Sequence, residues 1–211
     1  MNILLIHGLG RTPLSMSGLG KTLTEAGHTV EFFGYTTLLE SFDDIVKRLR
    51  DHILALSHAA DSASKANTPY GIVTHSMGAV LLRAALTKIS CPLPAQVVML
   101  APPNQSPRMA RIATHFPPFL WFAGQSGRNL ASSEFYAKLP PLNCPYTLIT
   151  GNIGLTGALS PFGSETNDVI VSAEESKMHP HDRVIEVPAL HSFIMNNKTA
   201  QTKAVKAFSY F

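Results

Sequence analysis

YGIVTHSMGAVLLRAAL, residues 70–86, passes from β-rich sequence into helical sequence with no connecting loop. YGIVT (70–74) is a short apolar run of the kind that forms a buried strand, and the apolar helical run MGAVLLRAALTKI begins at Met77. Only His75 and Ser76 are left for the turn. A buried strand feeding straight into a buried helix is the unit from which parallel sheets are built.

The flanking sequence repeats that unit. NILLI (2–6) is a strand by the same reasoning. Leu19, Leu23 and Ala26 then recur at helical spacing and stop at Gly27, a residue suited to the left-handed position after a helix. TVEFF (29–33) is β-rich. Ser41 and Asp44 mark a helix start, followed by the stripe Ile45, Leu49, Ile53 and Leu56 and the polar linker DSASKANTP (61–69). Downstream, QVVML (96–100), YTLIT (146–150) and RVIEV (183–187) predict three more strands. A helix from about Lys198 aligns Ala200, Ala204, Ala207, Phe208 and Phe211 on one face. This order predicts an α/β fold: a mostly parallel central sheet with helices on both faces, in a single domain spanning residues 1–211. The alternation breaks over 102–141, which holds seven of the 15 prolines and the run FPPFLWF (116–122). That segment is predicted to be a small cap insertion of short helices, with Pro117 and Pro118 arguing against one long amphipathic lid.

Composition narrows the function. With 45% hydrophobic and 15% charged residues, 211 residues suit one domain with a sizeable core. Seventeen basic against 14 acidic side chains, a net +3, excludes the strongly basic character of a nucleic-acid binder. Between Ser62 and Ser133 there is no Asp or Glu, while Lys65, Arg83, Lys88, Arg108, Arg111 and Arg128 fall there. That is a solvated basic face or a source of attraction for anionic substrates or lipid. Cys91 and Cys144 follow no metal spacing and read as ordinary thiols, with a disulfide as the alternative. There is no signal-like start and no apolar run of membrane-spanning length, so a cytoplasmic protein without a transmembrane segment is expected.

HGLGRTPLSMSGLGKT (7–22) invites a phosphate-loop reading, which fails on its own requirements. The first glycine of such a loop would be Ser15, and Gly20-Lys21-Thr22 falls inside a helical pattern rather than directly after a strand. A dinucleotide fingerprint starting at Gly8 would need glycine where Pro13 stands, and Glu31 is a poor ribose partner because it sits mid-strand.

The turn at Ser76 offers a different chemistry. A serine on a sharp strand-to-helix turn stands above the sheet edge at a helix N-terminus, provided its neighbours are small. Gly78 meets that condition, and Thr74 departs from it by filling the first glycine position of G-x-S-x-G. Serine is a weak nucleophile that needs a base, and the base needs an orienting acid. Both should follow in the order Ser, acid, His on loops at the same sheet edge. Among the later carboxylates, Glu174 and Glu175 fall in a predicted helix, and Asp182 and Glu186 border or occupy the last strand. Asp168, in TNDVIV (166–171), lies in the expected loop, with Glu165 second. His179 and His181 precede the last strand and point to the wrong end of the sheet, and a metal pair at these two lacks further ligands. His191 follows that strand. His7 and His75 read as orienting or packing groups. His7-Gly8-Leu9-Gly10 then supplies a backbone donor, the Leu9 N–H, to pair with the Met77 N–H around a developing oxyanion.

The HGLG loop, the HSMG turn, the NDVIV acid segment and the ALHSF histidine together resemble the α/β-hydrolase superfamily, and within it the small bacterial lipases and esterases, over nearly the whole chain. Such enzymes often replace the first glycine of the turn by another small residue, as Thr74 does. The resemblance implies Ser76 as nucleophile, His191 as base, Asp168 as orienting acid and Leu9 and Met77 as oxyanion donors. It also implies no cofactor and no catalytic metal. The expected activity is hydrolysis of a small-molecule carboxylic ester, hydrophobic or anionic. The alternatives are a thioesterase or acyltransferase using the same residues, and a hydrolase-fold protein that binds without turnover. Phe119, Trp121 and Phe122, with Phe116 and Leu120, are expected either to line an acyl pocket or to form the cap's own core.

Overall fold

A computed structural model describes the backbone of residues 1–62, 69–87 and 89–211, and the side chains of these residues except 58–62, 119 and 120. Six strands form one sheet: β1 (Asn2–Ile6), β2 (Thr29–Phe33), β3 (Tyr70–His75), β4 (Gln96–Leu100), β5 (Tyr146–Gly151) and β6 (Val184–Val187). All neighbours pair in parallel in the order β2-β1-β3-β4-β5-β6. The period-two alternation of each strand sorts its residues between two cores. Leu4, Ile6, Tyr70, Ile72, Val97, Met99 and Leu148 point to one face. There they meet α2 (Phe42–Ser62) and α3 (Met77–Leu86). Ile3, Leu5, Val73, Val98, Leu100 and Ile149 point to the other. That face is covered by α1 (Ser17–Glu25) and the last helix, α7 (Lys198–Phe208). Each of these fully buried aliphatic side chains contributes about 1.5–3 kcal/mol.

Local chemistry sets the helix ends. Gly27, at φ 89°, closes α1 in the left-handed conformation. The Asp44 N–H donates to Ser41 Oγ, which caps α2, and the Ala200 N–H donates to Asn197 Oδ1, which caps α7. Ala200, Ala204 and Phe208 of α7 are buried as the stripe predicts. Phe211 is exposed because the helix ends at Phe208.

Between β4 and β5 the chain forms α4 (Arg108–Ala113), α5 (Pro117–Ala131) and α6 (Ser133–Lys138). Pro117 and Pro118 occupy the first turn of α5, where a missing N–H costs nothing. Instead, α5 is broken at Gly124, whose φ of 54° and ψ of −138° are non-helical. Residues 173–176, predicted helical around Glu174 and Glu175, form a turn instead. Glu175 there accepts hydrogen bonds from the Ser172 and Arg108 N–H groups, so its side chain ties backbone segments together rather than decorating a helix. The reversal of strand order between β1 and β3 leaves a crevice at their carboxyl ends, the place where ligands bind in such sheets. No helix among the described residues is long and apolar enough to cross a membrane.

Candidate active site

Ser76 sits at φ 51° and ψ −123°, a conformation that costs an L-residue about 1–3 kcal/mol and persists only where the surroundings hold it. Here the Ser76 N–H donates to the Leu100 carbonyl at 2.9 Å, and the Ser76 carbonyl accepts from the Ala79 N–H at 2.9 Å. The requirement for a small residue after the turn is visible at Gly78. A Cβ there would lie 2.7 Å from the Ile6 carbonyl oxygen and 2.9 Å from that of His7. Helix α3 therefore rests directly on the end of β1. Thr74 fits within the sheet between Ile6 and Met99, fully buried, and its hydroxyl has no hydrogen-bond partner among the described residues. The bulk that departs from the usual glycine is thus accommodated, at the cost of one orphaned hydroxyl.

Asp168 and His191 come from the loops after β5 and β6. Ser76 Oγ donates to His191 Nε2 at 2.8 Å, and His191 Nδ1 donates to Asp168 Oδ2 at 2.8 Å. The other carboxylate oxygen, Oδ1, accepts from the Ile170 N–H at 3.0 Å and the Val171 N–H at 2.7 Å. This wraps the loop around the acid and forces Val169 to φ 86°, unusual for a β-branched residue. The His191 N–H also donates to the Asp168 carbonyl at 3.0 Å, so backbone as well as side chain fixes the pair. Asp168 is fully buried and His191 nearly so. Glu165, the second candidate for the acid, is engaged by Arg108 at 2.5 Å instead.

His75 and His7 brace this arrangement. Buried His75 donates from Nε2 to the His191 carbonyl at 3.0 Å, and burial, with His191 beside it, holds its pKa well below the usual value. His7 stacks on Tyr35 with ring centroids 4.1 Å apart. Its Nδ1 donates to the Gly8 carbonyl at 2.9 Å and its Nε2 accepts from the Tyr35 N–H at 3.3 Å. The Tyr35 hydroxyl donates to the His7 carbonyl at 2.8 Å. Burial lowers the pKa of His7 as well. Both rings work as neutral struts for the loop that follows β1. Gly8 packs against the Ser76 turn so closely that a Cβ would stand 3.0 Å from Ser76 Cβ.

Above Ser76 lies a cavity of about 320 Å³. Leu9, Ser76, His191 and Ser192 form its reactive end, and its walls are Pro103, Pro107, Met109, Ala110, Ala113, Leu130, Ile170 and Val171. Among the described residues, none of the aromatic run lines it. Trp121 is 82% exposed. Phe122 packs over Gly10 in a separate depression beside Tyr35 and Leu38. The side chain of Phe119 lies outside the described residues. The acyl-sized space comes from the small residues of α4 instead, and RMARIA (108–113) does carry a signal for it: Ala110 and Ala113 at helical i, i+3 spacing leave one face hollow. A larger cavity, about 670 Å³, shares no lining with this one. The smaller is the candidate active site, because Ser76 and His191 line it and Asp168 backs the imidazole.

A serine hydroxyl in hydrogen-bond contact with an imidazole, a buried carboxylate behind it and an apolar chamber are the parts that attack on an acyl carbonyl requires. Known structures share the scaffold. The mature form of the Bacillus licheniformis lipase BlEst2 matches over 97% of this chain and 90% of its own, with a TM-score of 0.70 and 14% identity. A structure of the metagenome-derived lipolytic enzymes LipS and LipT matches over 97% and 91%, with a TM-score of 0.63 and 13% identity. The thioesterase RedJ from the prodiginine pathway of Streptomyces coelicolor matches over 97% and 84%, with a TM-score of 0.55 and 14% identity. These identities establish likeness of fold. No curated protein sequence matches the chain. The model of the alpha/beta hydrolase family matches residues 3–189, from β1 through the acid loop to the end of β6. By that match and by its six-stranded parallel sheet, the chain belongs to the alpha/beta hydrolase family.

Proposed function

We propose that the chain is a serine hydrolase that cleaves a carboxylic ester with a hydrophobic acyl group through an acyl-enzyme. The observation that carries this reading is the unbroken hydrogen-bond chain from Ser76 through His191 to Asp168 at the end of an apolar cavity. Ser76 Oγ attacks the acyl carbonyl while His191 Nε2 takes its proton, and the buried Asp168 steadies the imidazolium. The N–H groups of Leu9 and Met77 stabilise the oxyanion, each worth about 10²–10³ in rate. His191 then protonates the leaving alcohol, and water, deprotonated by the same nitrogen, releases the acid. Residues 102–141 act as the cap that supplies the acyl wall. The free thiols Cys91 and Cys144 fit a cytoplasmic setting.

A fluorophosphonate probe tests the nucleophile. Labelling of the wild-type chain at Ser76, found by peptide mass spectrometry, and none in Ser76→Ala is the expected result. Folded wild-type protein that stays unlabelled favours a binding role without turnover. Parallel assays with acyl thioesters and alcohol acceptors sort ester hydrolysis from thioesterase or acyl-transfer activity.

The cavity also sets a chain-length expectation. Ala113→Phe fills the wall above Ser76 without touching the hydrogen-bond chain. It is expected to leave kcat/KM for a p-nitrophenyl acetate within about twofold and to lower that for an octanoate at least about tenfold, since a single methylene misfit is worth that much in an apolar pocket. Equal losses on both esters count against α4 as the acyl wall.

A further inference from the structure

The second cavity, about 670 Å³, is walled by Arg83 of α3, Arg111 of α4, Tyr136 of α6 and the segment from Glu174 to Pro180. Its volume is that of a small-molecule site. Among the described residues, Arg83, Arg111 and Lys177 give it three cations against a single lining carboxylate, Glu174, which Lys177 Nζ already engages at 2.6 Å. Arg83 is 5% exposed, yet every acceptor it reaches is neutral. Its Nε donates to the Pro140 carbonyl at 3.0 Å and its Nη2 to that of Leu139 at 2.6 Å. Its Nη1 serves the Asn104 carbonyl at 2.9 Å and Oδ1 at 3.4 Å. Neither Arg83 nor Arg111 has a carboxylate partner among the described residues. A buried guanidinium facing only carbonyl dipoles retains much of its desolvation cost.

Two further features point to a ligand. Arg111 spends Nη1 on the Ser106 carbonyl at 2.7 Å, which leaves the Nε and Nη2 edge of its fork open. Tyr136, 8% exposed, has a buried hydroxyl with no hydrogen-bond partner among the described residues. The same arginines stand out in the sequence, within the stretch that has no acidic residue, and ester hydrolysis makes no use of them.

We propose that this cavity binds a small molecule through a phosphate group, held by Arg111 and Lys177 over Arg83, with the Tyr136 hydroxyl as a further donor. A dianionic phosphate matches the two unpaired guanidinium charges, and its several oxygens match donors supplied by four segments around one cavity. Helix α4 forms the partition between the two cavities. Met109, Ala110 and Ala113 line the apolar one and Arg111 lines this one. An occupied phosphate site therefore braces the helix that shapes the acyl wall.

Thermal unfolding of the full chain tests the site without reference to turnover. Inorganic phosphate and glycerol phosphate are titrated at ionic strength held constant with sodium chloride. The expected result is a saturable rise in Tm, about 5 °C at a hundredfold excess over Kd, that chloride does not reproduce. Arg111→Gln and Lys177→Gln are expected to weaken the response at least tenfold. Tyr136→Phe separates binding from packing: it should raise Tm without phosphate, by removing the orphaned hydroxyl, and yet weaken the phosphate response. Flotation with phosphatidate vesicles identifies the source of the group. Arg111-dependent flotation assigns it to a lipid headgroup, and a phosphate response without flotation assigns it to a soluble ester. Identical curves in phosphate and chloride, or an Arg111→Gln chain that responds like wild type, overturn the proposal.

Discussion

Ser76→Ala is expected to lower kcat for ester hydrolysis about 10⁶-fold, and His191→Ala and the double variant by the same amount, because residues that act as one unit are not additive. The physical reason is the 2.8 Å contact between Ser76 Oγ and His191 Nε2. Without the imidazole the serine keeps its proton, and without the serine the imidazole has nothing to activate. Stability should separate the two single variants although activity does not. Ser76→Ala leaves the turn's backbone bonds to Leu100 and Ala79 in place, so its unfolding midpoint should stay near that of wild type. His191→Ala strips the fully buried Asp168 of its imidazole donor, and an unsatisfied buried acceptor costs about 1–3 kcal/mol or more when charged. Steady-state kinetics on a short-chain p-nitrophenyl ester, with urea unfolding of each variant, checks both parts. Losses that multiply in the double variant would mean that the two residues serve separate steps.

Asp168→Asn is expected to keep the fold and lower kcat about 10⁴-fold, with KM little changed. The asparagine Oδ1 can still accept from the Ile170 and Val171 N–H groups, so the loop around it survives. Its amide nitrogen, however, then points a donor at His191 Nδ1. The imidazole must answer with an acceptor there and carry its proton on Nε2, where it can no longer take one from Ser76. The loss should therefore appear in kcat rather than in substrate binding. Circular dichroism establishes that the fold is kept. A variant with near-normal turnover removes Asp168 from the proposed mechanism. Glu165 is no replacement, since Arg108 holds it.

Much of this molecule was legible without coordinates. All six strands fall where short β-rich or apolar runs end in glycine, proline or polar residues, and α3 begins directly after the Ser76 turn. Those features are local. A period-two or 3.6-residue pattern records which side a chain buries, Gly27 records a left-handed backbone, and Gly78 records one that leaves no room for a Cβ. The meeting of Ser76, Asp168 and His191 was also readable, because parallel strands deliver every following loop to the same sheet edge.

The wall of the cavity was not readable in this way. FPPFLWF announces apolar content but not which side of α5 meets the protein. Helix α5 breaks at Gly124, Phe122 seats on Gly10, and Trp121 stands in solvent. The same limit applies to Glu175 and Arg83. A charged residue reads as surface until backbone groups, Ser172 and Arg108 for one, Asn104, Leu139 and Pro140 for the other, are seen to surround it. Sequence alone determined the order of the strands, the turn at Ser76 and the side chains that meet it, since each depends on residues close along the chain or on the direction of the strands. Only the tertiary structure decided which side chains enclose the cavity at Ser76 and which charges are buried, because both depend on how separate segments pack against each other.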